Sequence, residues 1–260
     1  MPKKNRKSKN VPHQKRRETP IEFLASSAGI IVTCLFIITF VAQTFAIPSG
    51  SMENTLLVGD HVIVNRVYSA PGSSRLASLL PYRDIQRGDV VVFLSPQTPG
   101  LHVVKRIIGV PGDRIHLRGG VVYRNGERLS EPYILHDRDN PTDSYRDNFP
   151  AVPPSDFDRN ISAAWRAQLP DHIEGQDIVV PPNDYFGMGD HRGVSLDSRY
   201  WGFIPRQNII GRPLLVYWSF DATEINYLET SWEDRALSTA HEIIHFFDET
   251  RWSRTFKPVR

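Results

Sequence analysis

An uncharged apolar segment near the start of the chain constrains its fold most. Residues 23–47 contain no Asp, Glu, Lys or Arg and are rich in Ile, Val, Phe and Ala. About 20 helical residues cross the hydrocarbon core of a bilayer, so this run predicts a transmembrane helix over 23–47. A cleaved signal peptide is the alternative, but its apolar part is typically only about 7–15 residues long. We therefore expect a retained membrane anchor.

The charges around this segment predict its orientation. Residues 1–20 carry eight Lys or Arg and one acidic residue, whereas the other 240 carry 23 basic and 28 acidic residues. The positive-inside rule places the basic tail, 1–22, in the cytoplasm and 48–260 beyond the plasma (inner) membrane, in the periplasm or an equivalent space. Nucleic-acid-binding domains carry their basic face on the fold itself, so no nucleic-acid partner is expected.

The part of the chain that follows, 48–260, is predicted to be mainly β-structure. Gly119-Gly120 and Asn125-Gly126 predict tight hairpin turns, because these residues tolerate positive φ angles. Residues 131–183 are rich in Pro and Asp and predict a small inserted cap, with a short helix near 161–168, while 232–247 predicts a C-terminal helix. Runs rich in Val and Ile predict six strands, at 61–67, 89–94, 102–110, 114–117, 120–124 and 212–219.

Two serines directly after the apolar segment are candidate nucleophiles. They lie in Ile47-Pro48-Ser49-Gly50-Ser51-Met52, where Pro and Gly predict irregular backbone. A serine hydroxyl needs a base, and none of the nine histidines has a recognisable local signature with an acidic partner. Lys105 is flanked by apolar residues; burial would lower its pKa and allow it to act as that base. The alternative is a strand lysine that points into water. The periodicity of the sequence does not decide between these two positions of Lys105.

A glycine-bounded loop, 187–199, carries a third group of polar residues. Asp197 and Arg199 can form an ion pair that braces the loop, and Ser195 can orient a neutral lysine amine. A solvated loop without a role is the alternative.

The lone cysteine, Cys34, excludes an internal disulfide and a Cys-rich zinc module.

Four segments in this order resemble the successive motifs of bacterial type I signal peptidases, the leader peptidase family with a Ser–Lys dyad. They are Ile-Pro-Ser-Gly-Ser-Met at 47–52, Arg-Gly-Asp-Val-Val-Val-Phe at 87–93, Lys-Arg-x-x-Gly-x-Pro-Gly-Asp at 105–113, and Gly-Asp-x-Arg-x-x-Ser-x-Asp-Ser-Arg at 189–199. The matching stretches cover about a quarter of the chain. The resemblance implies an antiparallel β-sheet catalytic core with a small inserted domain. It also implies a membrane-bound serine endopeptidase that removes N-terminal signal peptides from exported preproteins.

The resemblance also implies a role for each matching residue. Ser51 would be the nucleophile and Lys105 the general base, with Ser195 orienting the lysine amine. The backbone N–H of Ser51 and the hydroxyl of Ser49 would form the oxyanion hole, and Asp197 and Arg199 the structural ion pair. Substrate would bind as an added β-strand, in pockets lined by Ile47, Pro48, Met52, Leu56, Val103 and Val104. No metal or cofactor is implied. The partners would be preprotein signal peptides, the phospholipid membrane and the secretion machinery.

This chain departs from the family pattern at three places. Asn54 stands where the family usually has proline, which predicts a less rigid turn. His191 replaces the commoner asparagine and adds an ionisable ring, and Gly193-Val194 replaces an Asp-Asn pair. None of these positions is a proposed nucleophile, base or orienting residue.

Two other function classes remain open at this stage. His241-Glu242-Ile243-Ile244-His245 matches the H-E-x-x-H zinc-protease motif on a predicted helix, but no matching signature for a third ligand follows it. A non-enzymatic, membrane-tethered binding domain would leave the serines and Lys105 with structural roles. Self-cleaving repressors, which resemble this pattern in using a Ser–Lys pair, carry a DNA-binding module that is not recognisable in this sequence.

Overall fold

The computed structural model describes residues 19–66, 83–135, 143–155, 160–221 and 232–260. Residues 1–18 of the predicted basic tail and Val67 of the first predicted strand lie outside these ranges. The chain divides into two units, residues 1–39 and residues 40–260.

The first unit contains helix α1, Pro20–Phe36. A capping box starts it, because the Thr19 hydroxyl accepts from the Glu22 N–H while the Glu22 carboxylate accepts from the Thr19 N–H. None of the α1 side chains is buried, and π-helical turns follow at Ile37–Val41. Among the helices of the described ranges, none combines the length and the apolar character that a membrane crossing requires.

The predicted helix over 23–47 is wrong at both ends. The capping box extends the helix back to Pro20, and Ala42–Ala46 forms a strand rather than helix. This strand pairs with Asp60–Asn65 in an antiparallel register from Ala42↔Asn65 to Ala46↔His61. A short apolar run has no hydrophobic periodicity that distinguishes a buried strand from a helix. Pairing with Asp60–Asn65 therefore decides that this segment is a strand.

The second unit is mainly antiparallel β-structure, as predicted. In chain order, the described strands are β1 (Ala42–Ala46), β2 (Asp60–Asn65), β3 (Val90–Leu94), β4 (His102–Gly109), β5 (Arg114–Arg118), β6 (Val121–Arg124), β7 (Glu127–Arg128), β8 (Ile173–Glu174), β9 (Asp177–Val179), β10 (Asp184–Met188), β11 (Ile204–Pro205), β12 (Ile209–Ser219) and β13 (Lys257–Pro258). The larger sheet has the order β1-β2-β12-β3-β4-β10-β11 with β13 beside β12, and the smaller sheet has the order β7-β6-β5-β9-β8. The six strands expected from the sequence correspond to β2 to β6 and β12.

Both predicted hairpin turns have the expected backbone. Gly119 and Gly120, between β5 and β6, have φ angles of 56° and 79°. Asn125 and Gly126, between β6 and β7, have φ angles of 54° and 82°. Positive φ at both central residues matches the right-handed twist of the flanking strands, which makes these turns efficient hairpin connections.

Residues 131–183 contribute to the smaller sheet as well as covering it. Their strands β8 and β9 extend it through β5, with the pairs Arg114↔Val179 and Ile115↔Ile178. Short helices α2 (Ser144–Asp147) and α3 (Ala163–Gln168) lie in the same segment, and the buried Trp165 of α3 joins the apolar core of this sheet. Later in the chain come α4 (Ser198–Trp201) and α5 (Trp232–Ile244). The helix α5 begins where the C-terminal helix was predicted to begin and ends three residues before its predicted end at residue 247.

Candidate active site

The loop from β1 to β2 places Ser51 in a rigid turn. Gly50–Met52 forms one 3-10 turn, and the Met52 side chain is buried in the apolar core under β1 and β2. Ile47 donates its N–H to the Asp60 carbonyl at 2.8 Å and accepts from Gly59 N–H at 3.0 Å. The chain on either side of the serines is therefore fixed, with the Ser51 hydroxyl half-exposed and 3.5 Å from the Ser49 hydroxyl.

Lys105 in β4 is buried beside this turn. Its residue exposure is 2%, and its Nζ lies 2.6 Å from Ser51 Oγ. Burial lowers the pKa of Lys105 to about 8, because desolvation outweighs the attraction of the Asp197 and Asp190 carboxylates. A lysine with this pKa is partly neutral near pH 8 and can accept a proton. The alternative of a strand lysine that points into water is wrong.

Gly189, after β10, lets the loop that carries Ser195 lie close to Ser51 and Lys105. A Cβ at this position would lie 2.3 Å from Ser195 Oγ and 2.4 Å from the Ser51 carbonyl oxygen, so only glycine fits. Ser195 is buried, and its hydroxyl has no hydrogen-bond partner among the described residues. The structure therefore brings Ser195 close to the Ser51 backbone, while the expected hydrogen bond to Lys105 is not formed.

Asp197 and Arg199 form a fully buried ion pair behind the lysine. Arg199 donates from Nε and Nη2 to the two carboxylate oxygens at 2.8 and 2.7 Å. Asp197 also accepts from the Gly189 N–H at 3.1 Å, which ties the pair to the loop that carries Ser195. Burial by itself would raise the pKa of Asp197, but the Arg199 charge and hydrogen bonds outweigh it and hold that pKa below its usual value.

A second buried ion pair was missed by the sequence reasoning. Arg106 binds Asp190 through Nε and Nη2 at 2.8 and 2.6 Å, and Thr55 donates to the same carboxylate at 2.5 Å. This pair joins β4, the loop after β10 and the turn that follows Ser51. The signal was present, because Arg106 and Asp190 belong to two of the family motifs and carry opposite charges.

An apolar cleft of about 170 Å³ opens beside Ser51, between the chain that follows β1 and the start of β4. Five of the six residues expected to contact substrate line it, and Leu56 instead lies fully buried in the core beneath. The lining residues are Phe45, Ala46, Ile47, Pro48, Ser49, Ser51, Met52, Val92, Leu101, His102, Val103 and Val104.

Two strand edges face this cleft. β10 pairs with β4 only from Arg106 onward, so the same edge of 102–105 has no strand partner among the described residues. β1 stands at the end of the larger sheet, so its outer edge also lacks a strand partner within the described ranges. The Phe45 and His102 rings, 5.0 Å apart, connect the two sides. Such edges offer backbone donors and acceptors to an extended peptide.

The departures from the family pattern have local structural reasons. Asn54 has a φ angle of 88°, which proline cannot adopt, and its side-chain amide donates to the Tyr133 carbonyl at 2.9 Å. This turn is therefore anchored by a side chain rather than by a proline ring. His191 is buried, and its backbone N–H donates to the Ser51 carbonyl at 3.1 Å.

The histidines of the H-E-x-x-H motif lie far from Ser51 and Lys105 in the sequence and do not line the cleft beside Ser51. His241 lies in α5, and His245 follows the end of that helix. The donor atoms of His241, His245 and Glu249 lie within 4.8 Å of one another, whereas Glu242 is not part of this group.

Comparison with known proteins identifies the family. The sequence matches the family described as "Signal peptidase, peptidase S26" over residues 21–218. The chain belongs to this family. It is 32% identical to a probable signal peptidase I-2 of Synechocystis sp., over 86% of this chain and 92% of that protein. It is also 32% identical to a signal peptidase I of Aquifex aeolicus, over 88% and 95% of the two chains.

A solved structure of a signal peptidase I from Enterococcus faecalis V583 is 28% identical, covers 50% of this chain and 97% of that chain, and has a TM-score of 0.35. That score is too low to support an argument about the fold. The sequence matches confirm the resemblance to the signal peptidases and support a serine-type endopeptidase. They do not support the zinc protease or the non-enzymatic binding domain.

Proposed function

We propose that this chain is a membrane-bound serine endopeptidase that cleaves signal peptides from exported preproteins, with Ser51 as nucleophile and Lys105 as general base. One observation carries the assignment of these roles. The amine of a buried lysine with a lowered pKa lies 2.6 Å from a serine hydroxyl at the end of an apolar cleft. A serine beside a desolvated lysine is an activated nucleophile.

Acylation starts from the neutral form of Lys105. Its Nζ takes the proton from Ser51 Oγ as that oxygen attacks the carbonyl carbon of the scissile peptide bond. The ammonium then returns the proton to the nitrogen of the leaving amine, the C–N bond breaks, and the signal peptide remains as an ester on Ser51. A water molecule deprotonated by Lys105 attacks this ester and releases the signal peptide and the free serine.

The tetrahedral intermediates carry a negative oxygen that needs hydrogen-bond donors. The Ser51 N–H and the Ser49 hydroxyl are the donors in this proposal, because both lie in the turn that presents Ser51 Oγ. One such donor contributes about 3 kcal/mol of transition-state stabilisation, or roughly 100-fold in rate. We assign Ser195, whose buried hydroxyl has no partner among the described residues, to orient the Lys105 amine through a hydrogen bond formed during the reaction. The Asp197–Arg199 ion pair keeps that loop in place.

The substrate binds as an extended strand between the two free strand edges. Main-chain hydrogen bonds to 102–105 on one side and to the chain leading to Ser51 on the other hold it. The apolar lining accepts small side chains, with Ile47, Pro48, Met52, Val103 and Val104 forming the pockets. The buried Leu56 supports Met52 from beneath and does not contact substrate directly.

Membrane attachment through α1 completes the proposal. After Glu22 the helix carries no charged residue, and its Ile30, Ile31 and Val32 side chains are exposed. Burying such side chains in lipid is favourable, and the basic residues that precede them favour a cytoplasmic N-terminus. The peptidase unit then lies on the far side of the plasma (inner) membrane, where it meets signal peptides held in the same bilayer by the secretion machinery.

Cleavage of a purified preprotein by the full chain in detergent tests this proposal. We expect Ser51→Ala and Lys105→Ala to lower kcat/KM by about 10⁴-fold or more, because the dyad acts as a unit. The matched controls are Ser130→Ala and Lys257→Ala, which change an exposed serine and an exposed lysine and should leave kcat/KM unchanged. Wild-type activity in Ser51→Ala, or its loss in Glu242→Ala alone, would contradict the proposal.

A further inference from the structure

The H-E-x-x-H motif near the C-terminus places two imidazoles side by side. His241 and His245 are one helical turn apart, and their ring centroids are separated by 4.4 Å. Both side chains are reachable from solvent, with 48% and 37% of their surface exposed. Histidines four residues apart on one helical face are a common way to present two nitrogen ligands to one metal ion.

Glu249 supplies a third donor from the turn after the helix. One of its carboxylate oxygens lies 2.9 Å from His241 Nε2, and the other lies 3.7 Å from His245 Nδ1. Zinc bonds of about 2.0–2.2 Å at tetrahedral angles require donor atoms about 3.4 Å apart. The observed separations bracket this value. All three donor atoms lie within 4.8 Å of one another, so the side chains would rotate toward an ion bound between them.

From this geometry we propose that His241, His245 and Glu249 form a binding site for a divalent transition-metal ion, with Zn²⁺ as the best-fitting class. Two imidazoles and one carboxylate are ligands that suit zinc, whereas Mg²⁺ and Ca²⁺ prefer oxygen ligands alone. The Asp248 carboxylate, 2.9 Å from His245 Nδ1, adds a negative charge next to the site.

The place of this site in the fold indicates a structural role. The residue after Glu249, Thr250, forms a β-bridge with Phe220 at the end of β12, and Arg251 donates to the Phe220 carbonyl at 2.6 Å. The His241 ring also packs edge-on against Phe220, with 6.0 Å between ring centroids. An ion held by these three ligands would cross-link α5 to the segment that attaches to the larger sheet.

This site is separate from the proposed peptidase reaction. The motif acid of a zinc protease, Glu242, is not among the clustered donors. The three ligands lie on α5 and the turn after it, partly exposed to solvent, rather than in the cleft beside Ser51. Without an ion, hydrogen bonds from His241 to Glu249 and from His245 to Asp248, both at 2.9 Å, hold these groups together.

The test is a calorimetric titration of Zn²⁺ into the full chain in detergent, after treatment with a chelator and its removal. We expect saturable binding of one ion per chain at micromolar concentrations, unaffected by excess Mg²⁺. His241→Ala and Glu249→Gln each remove one ligand and should weaken binding by about tenfold or more. Glu242→Gln is the matched control, because it changes a neighbouring acid outside the group and should bind as wild type does.

A second measurement reports the cross-link and the folding of the variants. Zn²⁺ should raise the Tm of wild type and Glu242→Gln, and should not raise that of Glu249→Gln. Retained preprotein cleavage by each variant shows that it is folded. The proposal is overturned if wild type binds no Zn²⁺ saturably, or if both ligand variants bind it as tightly as wild type. Binding without a rise in Tm overturns the cross-link.

Discussion

The pH dependence of cleavage gives the sharpest test of the role of Lys105. Its pKa is lowered from 10.5 to about 8 by burial, and only the neutral amine can accept the Ser51 proton. With a pKa of about 8, the neutral fraction is roughly 1% at pH 6 and roughly 90% at pH 9. We therefore expect kcat/KM to rise about 90-fold between these pH values, with a slope of about tenfold per unit below pH 7 and a plateau above pH 9.

The assay is steady-state cleavage in detergent of a preprotein without titratable residues next to the cleavage site. His191→Asn is the control, because His191 is an ionisable residue whose backbone N–H binds the Ser51 carbonyl, and removal of its ring should leave the rising limb in place. A profile that stays flat from pH 5 to 9 would refute Lys105 as the base. A rate that still rises tenfold between pH 9 and 10 would show that burial does not lower this pKa.

Three further substitutions test the supports of the site. Asn54→Pro should destabilise the protein by about 3 kcal/mol, because proline cannot adopt a φ of 88°, while Asn54→Gly keeps that backbone and serves as its control in denaturant unfolding. Gly189→Ala should lower kcat by at least tenfold with a smaller change in KM, since its methyl group would collide with Ser195 and the Ser51 carbonyl and displace them; unchanged kinetics would refute the close approach. Asp197→Asn should lower the free energy of unfolding by about 3–5 kcal/mol, because it leaves the Arg199 charge buried without its partner. A loss below about 1 kcal/mol would show that water reaches this pair.

The sequence predicted the irregular turn that presents Ser51, because Pro48 and Gly50 are local signals for it, while the catalytic roles of the site residues stay predictions. The contact between Ser51 and Lys105 joins residues 54 positions apart, and no local pattern measures that distance. It was expected only from the resemblance to a family. The burial of Lys105 was equally out of reach, since it depends on the loop after β10 packing over β4.

The errors have a shared physical cause, which is that tertiary packing overrides local preference. The Ala42–Ala46 segment has the composition of a membrane helix, yet pairing with β2 makes it a strand. Leu56 was expected in a substrate pocket, but it lies fully buried in the core, where it packs with Met52 and Val62. The Arg106–Asp190 pair was missed because its two residues belong to different motifs that were considered one at a time.

In the proposed binding mode, the two unpaired strand edges beside Ser51 decide when a substrate can be cut. A peptide can satisfy both edges only while its own backbone groups are unpaired, so a segment already folded into a helix or a sheet is rejected without any contact to its side chains. Apolar side chains in the cleft can then remain few and shallow, because the main chain supplies most of the recognition. An enzyme built in this way tolerates many different sequences, and it processes a chain before the region around the cut has folded.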